Sequence, residues 1–507
     1  MHVRMLRRSV RRPWSRPVLA RPVARLAPLV LLAAVACGDD PTTAPVAPVD
    51  GTLEATQAAT AATPSSPRSV TAVAGNASAT VTWQRPARTG TSPVSGYRIR
   101  VLPGSRLITL ATADTTAVVG GLTNGTAYTF SVQARNASGY GSRSNESAAV
   151  TPSAPAAAGA RWVTGYYVGY QRALYPETSV DFTYMTHVVL GAAQATPTGG
   201  VTTDFYLDAT NGPAMARALS ARAHAAGRKA ILMLGGAGYR DNLVSATSSA
   251  YRAAFVRNLL AALDNLGYDG LDVDWEPLYD GDKAQVLQFL RDLRAARPKL
   301  LLTFPVTWVN TNFGADTWYA QVAPLVDQFN VMSYEMAGNW GGWVSWHSEA
   351  LYGQGADHPS SIAGNADAYR AAGVPAAKLG IGIGAYGSCW RGVTAPLQTL
   401  SGSAGVVASD NAMSYANVMA QYYSAAAYRW DATAHASYLT FASAAGPQGC
   451  TFVSYEDPRS VADKGAYVAA QGLGGAIVWT VGQGHVPNAA AGQQDPLLKA
   501  AYTAIVR

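Results

Sequence analysis

Asp269-Gly270-Leu271-Asp272-Val273-Asp274-Trp275-Glu276 sets four acids among Gly, Leu, Val and Trp. Side chains alternate across a strand, so Asp272, Asp274 and Glu276 share one side while Leu271, Val273 and Trp275 share the other. An apolar side of that kind packs on helices. An acidic side that is also buried needs a closed interior, and a barrel supplies one, with Glu276 nearest the C-terminal mouth where barrel enzymes place their chemistry. Three carboxyls on one strand cannot all ionise cheaply, and a carboxyl that keeps its proton near neutral pH can serve as a general acid. A surface acidic strand or a calcium loop is the other reading. Calcium loops need turning residues between their oxygen ligands, and here the intervening residues are Leu, Val and Trp.

Outward from this strand the pattern repeats. Apolar strand-like runs fall at 162–168, 187–191, 230–235, 267–276, 300–306, 329–335, 379–385 and 476–481. Helix-period segments lie between several of them. In 251–266, Phe255, Leu259, Leu260 and Leu263 fall on one face; in 286–293, Leu287, Leu290 and Leu293 do. This alternation predicts an α/β fold: a (β/α)8 TIM barrel spanning 154–507, with a small inserted α+β subdomain at about 387–473. A doubly wound open sheet is the alternative, but no Gly-rich phosphate loop follows the first run.

The N-terminal third reads differently. Residues 67–153 carry short period-2 runs (79–83, 97–101, 128–134) broken by Gly, Asn, Pro and Ser, which predicts an all-β sandwich. Trp83 and Tyr97 can fill the space between its sheets, and Leu122–Tyr128 has the form of a tyrosine corner. Residues 37–66, rich in Ala, Pro and Thr, read as a flexible linker. Residues 1–36 combine eight arginines and no acid with the apolar run 26–36, the pattern of a signal peptide. Ala34-Val35-Ala36 fits ordinary cleavage, whereas Cys37 directly after it fits a lipobox whose cysteine takes lipid. Either way the mature chain is expected outside the cytoplasm, secreted or anchored to a bacterial envelope through Cys37, the only membrane attachment foreseen. Cys389 and Cys450 then form a disulfide or stay as thiols.

The chain has 507 residues, 49% hydrophobic and 14% charged, enough for two or three domains with a large core. Its formal +7 is outweighed by the eight leader arginines, so a nucleic-acid partner held by bulk charge is not expected. Three cysteines exclude a disulfide-framework fold and a four-thiolate zinc site. The acids have no His at ligand spacing, so no cofactor is expected.

The acidic strand resembles the DxxDxDxE signature of family 18 glycoside hydrolases, the chitinase-like barrels. Further likenesses follow in order: Trp162–Tyr167, Lys229–Gly236, Val331–Glu335, Leu379–Tyr386 and Gly474–Thr480. Residues 67–153 likewise resemble a fibronectin type III domain, expected to act as a spacer, with carbohydrate contact as its other role. The family resemblance implies that Glu276 protonates the glycosidic oxygen and later activates water. It implies that the substrate's own acetamido oxygen attacks the anomeric carbon, giving a retained configuration without a protein nucleophile. Asp274 would hold the acetamido N–H, Asp272 would share a proton with it, Tyr334 would position the acetamido carbonyl, and Trp479 would floor the sugar. Asp269, Tyr166, Met332, Glu335, Trp340 and Tyr386 join the substrate-binding set. Trp340, Trp343, Trp346 and His347 cluster in one Gly-rich loop; an aromatic there suits stacking on sugar, while a lone His is more often structural.

The chain departs from the family pattern at Met233, Glu335, Pro277 and Ser388, with Arg391 a candidate to replace the arginine missing at 388. The resemblance implies a chitinase acting on β-1,4-linked N-acetylglucosamine polymers. An endo-β-N-acetylglucosaminidase acting on glycoprotein glycans is the alternative. A non-catalytic chitin-binding lectin fits less well, because such relatives typically lose the acid kept here at Glu276.

Overall fold

The computed structural model describes residues 62–75, 77–152 and 161–506. The signal-peptide, linker and Cys37 expectations fall largely outside them.

Residues 67–152 form two antiparallel sheets. Strands Arg68–Gly75, Ser78–Gln84 and Thr116–Gly120 make one; Arg106–Leu110, Gly96–Leu102, Thr129–Asn136 and Gly139–Arg143 make the other. Alternation drives the packing: Val81, Trp83, Tyr97, Ile99, Phe130 and Val132 turn inward and are buried. Trp83 and Tyr97 meet edge to face with centroids 5.0 Å apart, a favoured aromatic geometry. The Tyr128 hydroxyl accepts from the Thr123 backbone N–H at 3.0 Å, the geometry of a tyrosine corner.

Eight parallel strands follow: Trp162–Val168, His187–Ala195, Lys229–Gly235, Gly270–Asp274, Leu301–Thr307, Gln328–Met332, Leu379–Gly384 and Gly475–Trp479. Each pairs with the next, and the first pairs with both second and eighth, which closes the barrel. A short strand, Val201–Thr202, runs antiparallel on the second. Helices including Asn211–Ala225, Arg252–Leu266, Lys283–Ala296 and Pro458–Ala470 cover the outside. Leu271, Val273 and Trp275 belong to the large core between strands and helices. A separate interior cluster holds Tyr166, Ile231, Met233 and Ile477.

The fourth strand starts three residues later than the sequence suggests. Gly267 caps the preceding helix in the left-handed region at φ 73°, so 267 belongs to the helix end. The sixth stops at Met332, short of the expected 335, because Ser333 replaces the ladder. Its Oγ accepts from Gly382 N–H at 2.8 Å and donates to Gly382 O at 3.0 Å.

The expected insertion is a five-stranded antiparallel sheet formed by Gly405–Ala408, Ser388–Arg391, Cys450–Tyr455, Ala436–Ala445 and Tyr428–Asp431, joined by short helices. It ends near 455 rather than 473, since Pro458–Ala470 packs on the seventh and eighth strands and on the last helix, Pro496–Ile505. An Asp457 cap with Pro458 at the first turn starts that helix. Cys389 and Cys450 are joined as a disulfide, with Cα atoms 5.3 Å apart, which ties two neighbouring strands of the insertion. No helix among the described residues is long and apolar enough to cross a membrane.

Candidate active site

The fourth strand aims its carboxyls into the barrel. Asp272 is fully buried, 0% exposed. Its Oδ2 accepts from the Tyr166 hydroxyl at 2.8 Å and its Oδ1 from the Thr303 hydroxyl. Thr303 stands directly opposite Asp272 on the fifth strand. Burial raises the Asp272 pKa to about 6, against the two hydroxyl donors that pull it down, and the nearby Glu276 charge adds to the rise. Asp274, 3% exposed, hydrogen-bonds the Glu276 carboxyl. Burial first, then the Glu276 and Asp272 charges, hold its pKa well above the carboxylate range. Asp274 Oδ1 is buried with no hydrogen-bond donor on it among the described residues. Glu276 lies two residues beyond the strand end, partly exposed at the C-terminal mouth. The row therefore grades from a locked interior acid to an accessible one. It can keep a proton inside the trio and present it at the surface of the barrel mouth.

The backbone makes room for this. Gly235 and Gly236 take positive φ of 98° and 100°, and Gly236 N–H donates to Asp274 O at 2.8 Å. A Cβ on Gly235 would sit 2.4 Å from Asp274 O, so only glycine fits. Met233, where the family pattern has a smaller polar residue, is buried in the interior beside these glycines.

Aromatic groups surround the trio. Tyr166 packs on Trp479 at 5.4 Å, and Tyr334 meets Tyr386 edge to face at 6.2 Å. Tyr334 is half-buried, and burial followed by the Glu276 and Asp274 charges pushes its phenol up, so it stays a neutral hydrogen-bond donor. Met332 is half-buried at the end of the sixth strand. Glu335 is exposed and accepts from the Ser409 hydroxyl of the insertion at 2.9 Å. Trp340 is half-buried and forms a cluster with Trp343 (4.7 Å) and Trp308 (5.6 Å). Trp346 instead lies in the insertion-side core, 2% exposed, and His347 is buried against Asp431 at 3.0 Å; both anchor the loop. On the other flank Tyr170 packs on Tyr206 at 5.1 Å. Beside them a pocket of about 340 Å³ is lined by Gln194, Tyr206, Tyr239 and Asn242 among others.

Asp269 does not join the site. It stands before the N-terminal end of the fourth strand, the end opposite the mouth, and is held by Lys229 Nζ (2.8 Å), His224 Nε2 (2.8 Å) and Ala230 N–H (2.9 Å). The five-residue strand Gly270–Asp274, about 16 Å long, lies between it and the mouth. It fastens the start of the third strand to the fourth, and the substrate contact expected of it is corrected to a structural one. Arg391 donates to Gln448 O on the insertion at 2.6 Å and 3.0 Å, so its head group is committed there.

Sequence reasoning missed Thr303, Trp308 and Glu349. Glu349 is buried, accepts from Gly384 N–H at 2.9 Å, and has its other oxygen without a protein partner. A Cβ added to Gly384 would touch that oxygen, Tyr386 and Tyr334 together, so Glu349 backs the two tyrosines. Register could have found Thr303, but only once the fourth and fifth strands were aligned. Among the described residues no group of three or more His, Cys, Asp or Glu side chains is placed to hold a metal ion.

The Asp272 shift carries a stability consequence. An acid whose folded pKa exceeds its unfolded value favours folding while it is protonated. Its contribution is fully present below the unfolded value of 3.8 and is lost as pH rises through about 6. The loss amounts to about 3 kcal/mol. Asn cannot ionise and can still meet both hydroxyls. Asp272→Asn is therefore expected to gain several degrees of melting temperature relative to the native chain between pH 5 and pH 8, measured by calorimetry. A difference constant across that range would remove Asp272 from the titrating groups.

A closed (β/α)8 barrel with a graded row of carboxyls at its C-terminal mouth has the build of an acid–base barrel enzyme. The family model of Glycosyl hydrolases family 18 matches residues 163–484, and that of the Fibronectin type III domain matches 65–151. The chain belongs to glycosyl hydrolase family 18 and carries a fibronectin type III domain before the barrel. Chitinase A1 of Niallia circulans is 30% identical over 284 residues, 50% of this chain and 40% of that protein. The Probable endochitinase of Caenorhabditis elegans is 29% identical over 276 residues, 50% and 43%. The chain thus matches less than half the length of these relatives. Among solved structures, the Ostrinia furnacalis Group IV chitinase superposes with a TM-score of 0.58 at 22% identity, covering 68% of this chain and all of that one.

Proposed function

We propose that this chain is a chitinase that hydrolyses β-1,4-linked N-acetylglucosamine polymers with retention, Glu276 serving as acid and then base. One observation carries the reading: Asp274, buried and raised in pKa, hydrogen-bonds Glu276 at the barrel mouth. A proton held in that pair sits beside the position of a glycosidic oxygen. Asp274 then receives the acetamido N–H, which is the role its orphaned oxygen supports. With the amide held on one side and the neutral Tyr334 hydroxyl donating to its carbonyl, the acetamido oxygen points at the anomeric carbon. It attacks as the leaving oxygen takes the Glu276 proton. Water activated by Glu276 opens the cyclic intermediate and restores the acid. Trp479 lies beneath the sugar as an apolar floor, and the anionic carboxyls balance the positive charge developing in the ring.

The tryptophans beyond the fifth and sixth strands and the tyrosines near the first and second offer stacking faces on both flanks of the acid row. That arrangement supports a linear polymer lying across the mouth. The Cys389–Cys450 disulfide supports work in an oxidising compartment outside the cytoplasm. The test is product analysis on colloidal chitin and on a high-mannose glycoprotein, with the anomer of fresh product followed by proton NMR. Chitobiose in the β form from chitin alone is the expected result. Release of intact glycan from the glycoprotein would instead assign an endo-β-N-acetylglucosaminidase, and α product would exclude the retaining scheme.

A further inference from the structure

The fibronectin type III domain carries a charge its barrel neighbour does not. Residues 65–151 hold eight arginines, no lysine and two acids, Asp114 and Glu146, a formal charge of +6. Four of these arginines share one surface. In Gly96–Leu102, Tyr97, Ile99 and Val101 face the core, so Arg98 and Arg100 face outward. In Thr129–Asn136, Phe130, Val132 and Ala134 face the core, so Gln133 and Arg135 face outward. Strand pairing sets Arg98 opposite Gln133 and Gln133 opposite Arg143, with Arg135 opposite Tyr140. The outer face of the four-stranded sheet is thus a grid of Arg98, Arg100, Arg135 and Arg143 around Tyr140.

The grid is braced but not neutralised. Arg98 and Arg143 each donate an Nη2 proton to the Gln133 Oε1 at 2.9 Å, and Arg100 donates to the Ser105 hydroxyl at 2.9 Å. Arg98 lies 4.1 Å from the Tyr140 ring centroid and Arg135 lies 5.6 Å from it. Arg98 Nε and Arg143 Nη1 are buried with no protein acceptor. Glu146 takes the Thr129 hydroxyl, and among the described residues neither acid of the domain forms an ion pair with these arginines. Like charges set side by side on a sheet cost free energy; burial first, then the charges of Arg100 and Arg98, lower the pKa of Arg143.

We propose that this face binds a linear anionic glycan, carboxylated or sulfated. Planar guanidiniums match paired carboxylate or sulfate oxygens. Neighbouring strands stand about 4.8 Å apart and outward residues on one strand about 6.8 Å apart, a spacing that meets charges repeated along an extended chain. A nucleic acid fits less well. The Tyr140 ring is covered by Arg98 and Arg135, leaving no open aromatic face for a base, and a flat sheet face does not enter a duplex groove. The surface would hold the enzyme in a matrix that mixes charged polymers with neutral ones, a role beyond the spacing expected from sequence.

The test is retention of the full chain on immobilised heparin and its mobility in gels containing polygalacturonate. Binding is expected at 50 mM NaCl and should weaken on the order of tenfold or more by 200 mM, as four charge contacts imply. The combined variant Arg98→Gln, Arg100→Gln, Arg135→Gln, Arg143→Gln should lose it, with soluble chitin oligomers cleaved at the native rate. The double variant Arg100→Gln, Arg135→Gln, which leaves the Gln133 network in place, should bind at an intermediate level. An equal loss of charge on and beside the barrel helices (Arg217→Gln, Arg257→Gln, Arg291→Gln, Lys299→Gln) should leave binding intact. No retention of the native chain, or equal losses in the helix variant, would overturn the proposal. So would a DNA duplex that displaces the chain from heparin more effectively than polygalacturonate does.

Discussion

Glu276→Gln is expected to lower kcat on soluble chitin oligomers by on the order of 10²–10⁴-fold, with KM little changed. Gln preserves the size of the side chain and can still hydrogen-bond Asp274, so the fold and the sugar contacts are retained. It cannot release a proton to a leaving oxygen or take one from water. The loss therefore falls on an interaction made only as the bond breaks, which lowers kcat rather than binding. A substrate with a good leaving group, such as a nitrophenyl glycoside, needs less protonation and should recover part of the first step. It should not recover the second, where water must be activated. Turnover near the native level on both substrates would falsify the assignment of Glu276 as the acid.

How much of this was legible in the chain depends on the kind of contact. The parity of Asp272, Asp274 and Glu276 needed only a strand and a closed interior, and the structure has both. The eight barrel strands were legible because parallel strands covered on both faces read as continuous apolar runs. Asp269 was misread because it belongs to the same string of acids. Its odd position and its place at the far end of the strand were the available signals, and the pairing with Lys229 and His224 depends on the third strand's register. Thr303 is a partner across strands, and no local pattern marks it. The tryptophans at 340, 343 and 346 are evenly spaced, yet only the third is swallowed by the insertion core. A loop has no period from which an inward face could be read. The end of the insertion was overrun for a similar reason. Asp457-Pro458 is a helix start, but it lay within a Ser- and Ala-rich stretch whose strands drew the reading.

Asp274→Asn is the second large effect, and it separates the acid's two duties. Asp274 and Glu276 share a hydrogen bond and repel as like charges, so their pH dependence belongs to the two as a unit and not to one residue. Activity requires that the unit still hold a proton to give. The rate therefore falls as pH rises through the step in which that proton is lost. In the native chain burial and the like charges of its neighbours raise the proton affinity at Asp274. Removing one carboxyl removes a like charge from the remaining pair, whose proton then leaves at lower pH. The alkaline limb of kcat should shift toward acid. Asn also fixes a neutral amide where an anion is proposed to balance the developing ring charge. Loss of such stabilisation in a buried site typically costs on the order of 10²–10³-fold in kcat. Initial rates from pH 4 to pH 9 on a soluble oligomer, with folding checked by circular dichroism, would read both effects. A fall in rate with an unmoved alkaline limb would leave Asp274 as a charge stabiliser uncoupled from the proton at Glu276. An unchanged rate would exclude it from the chemistry altogether.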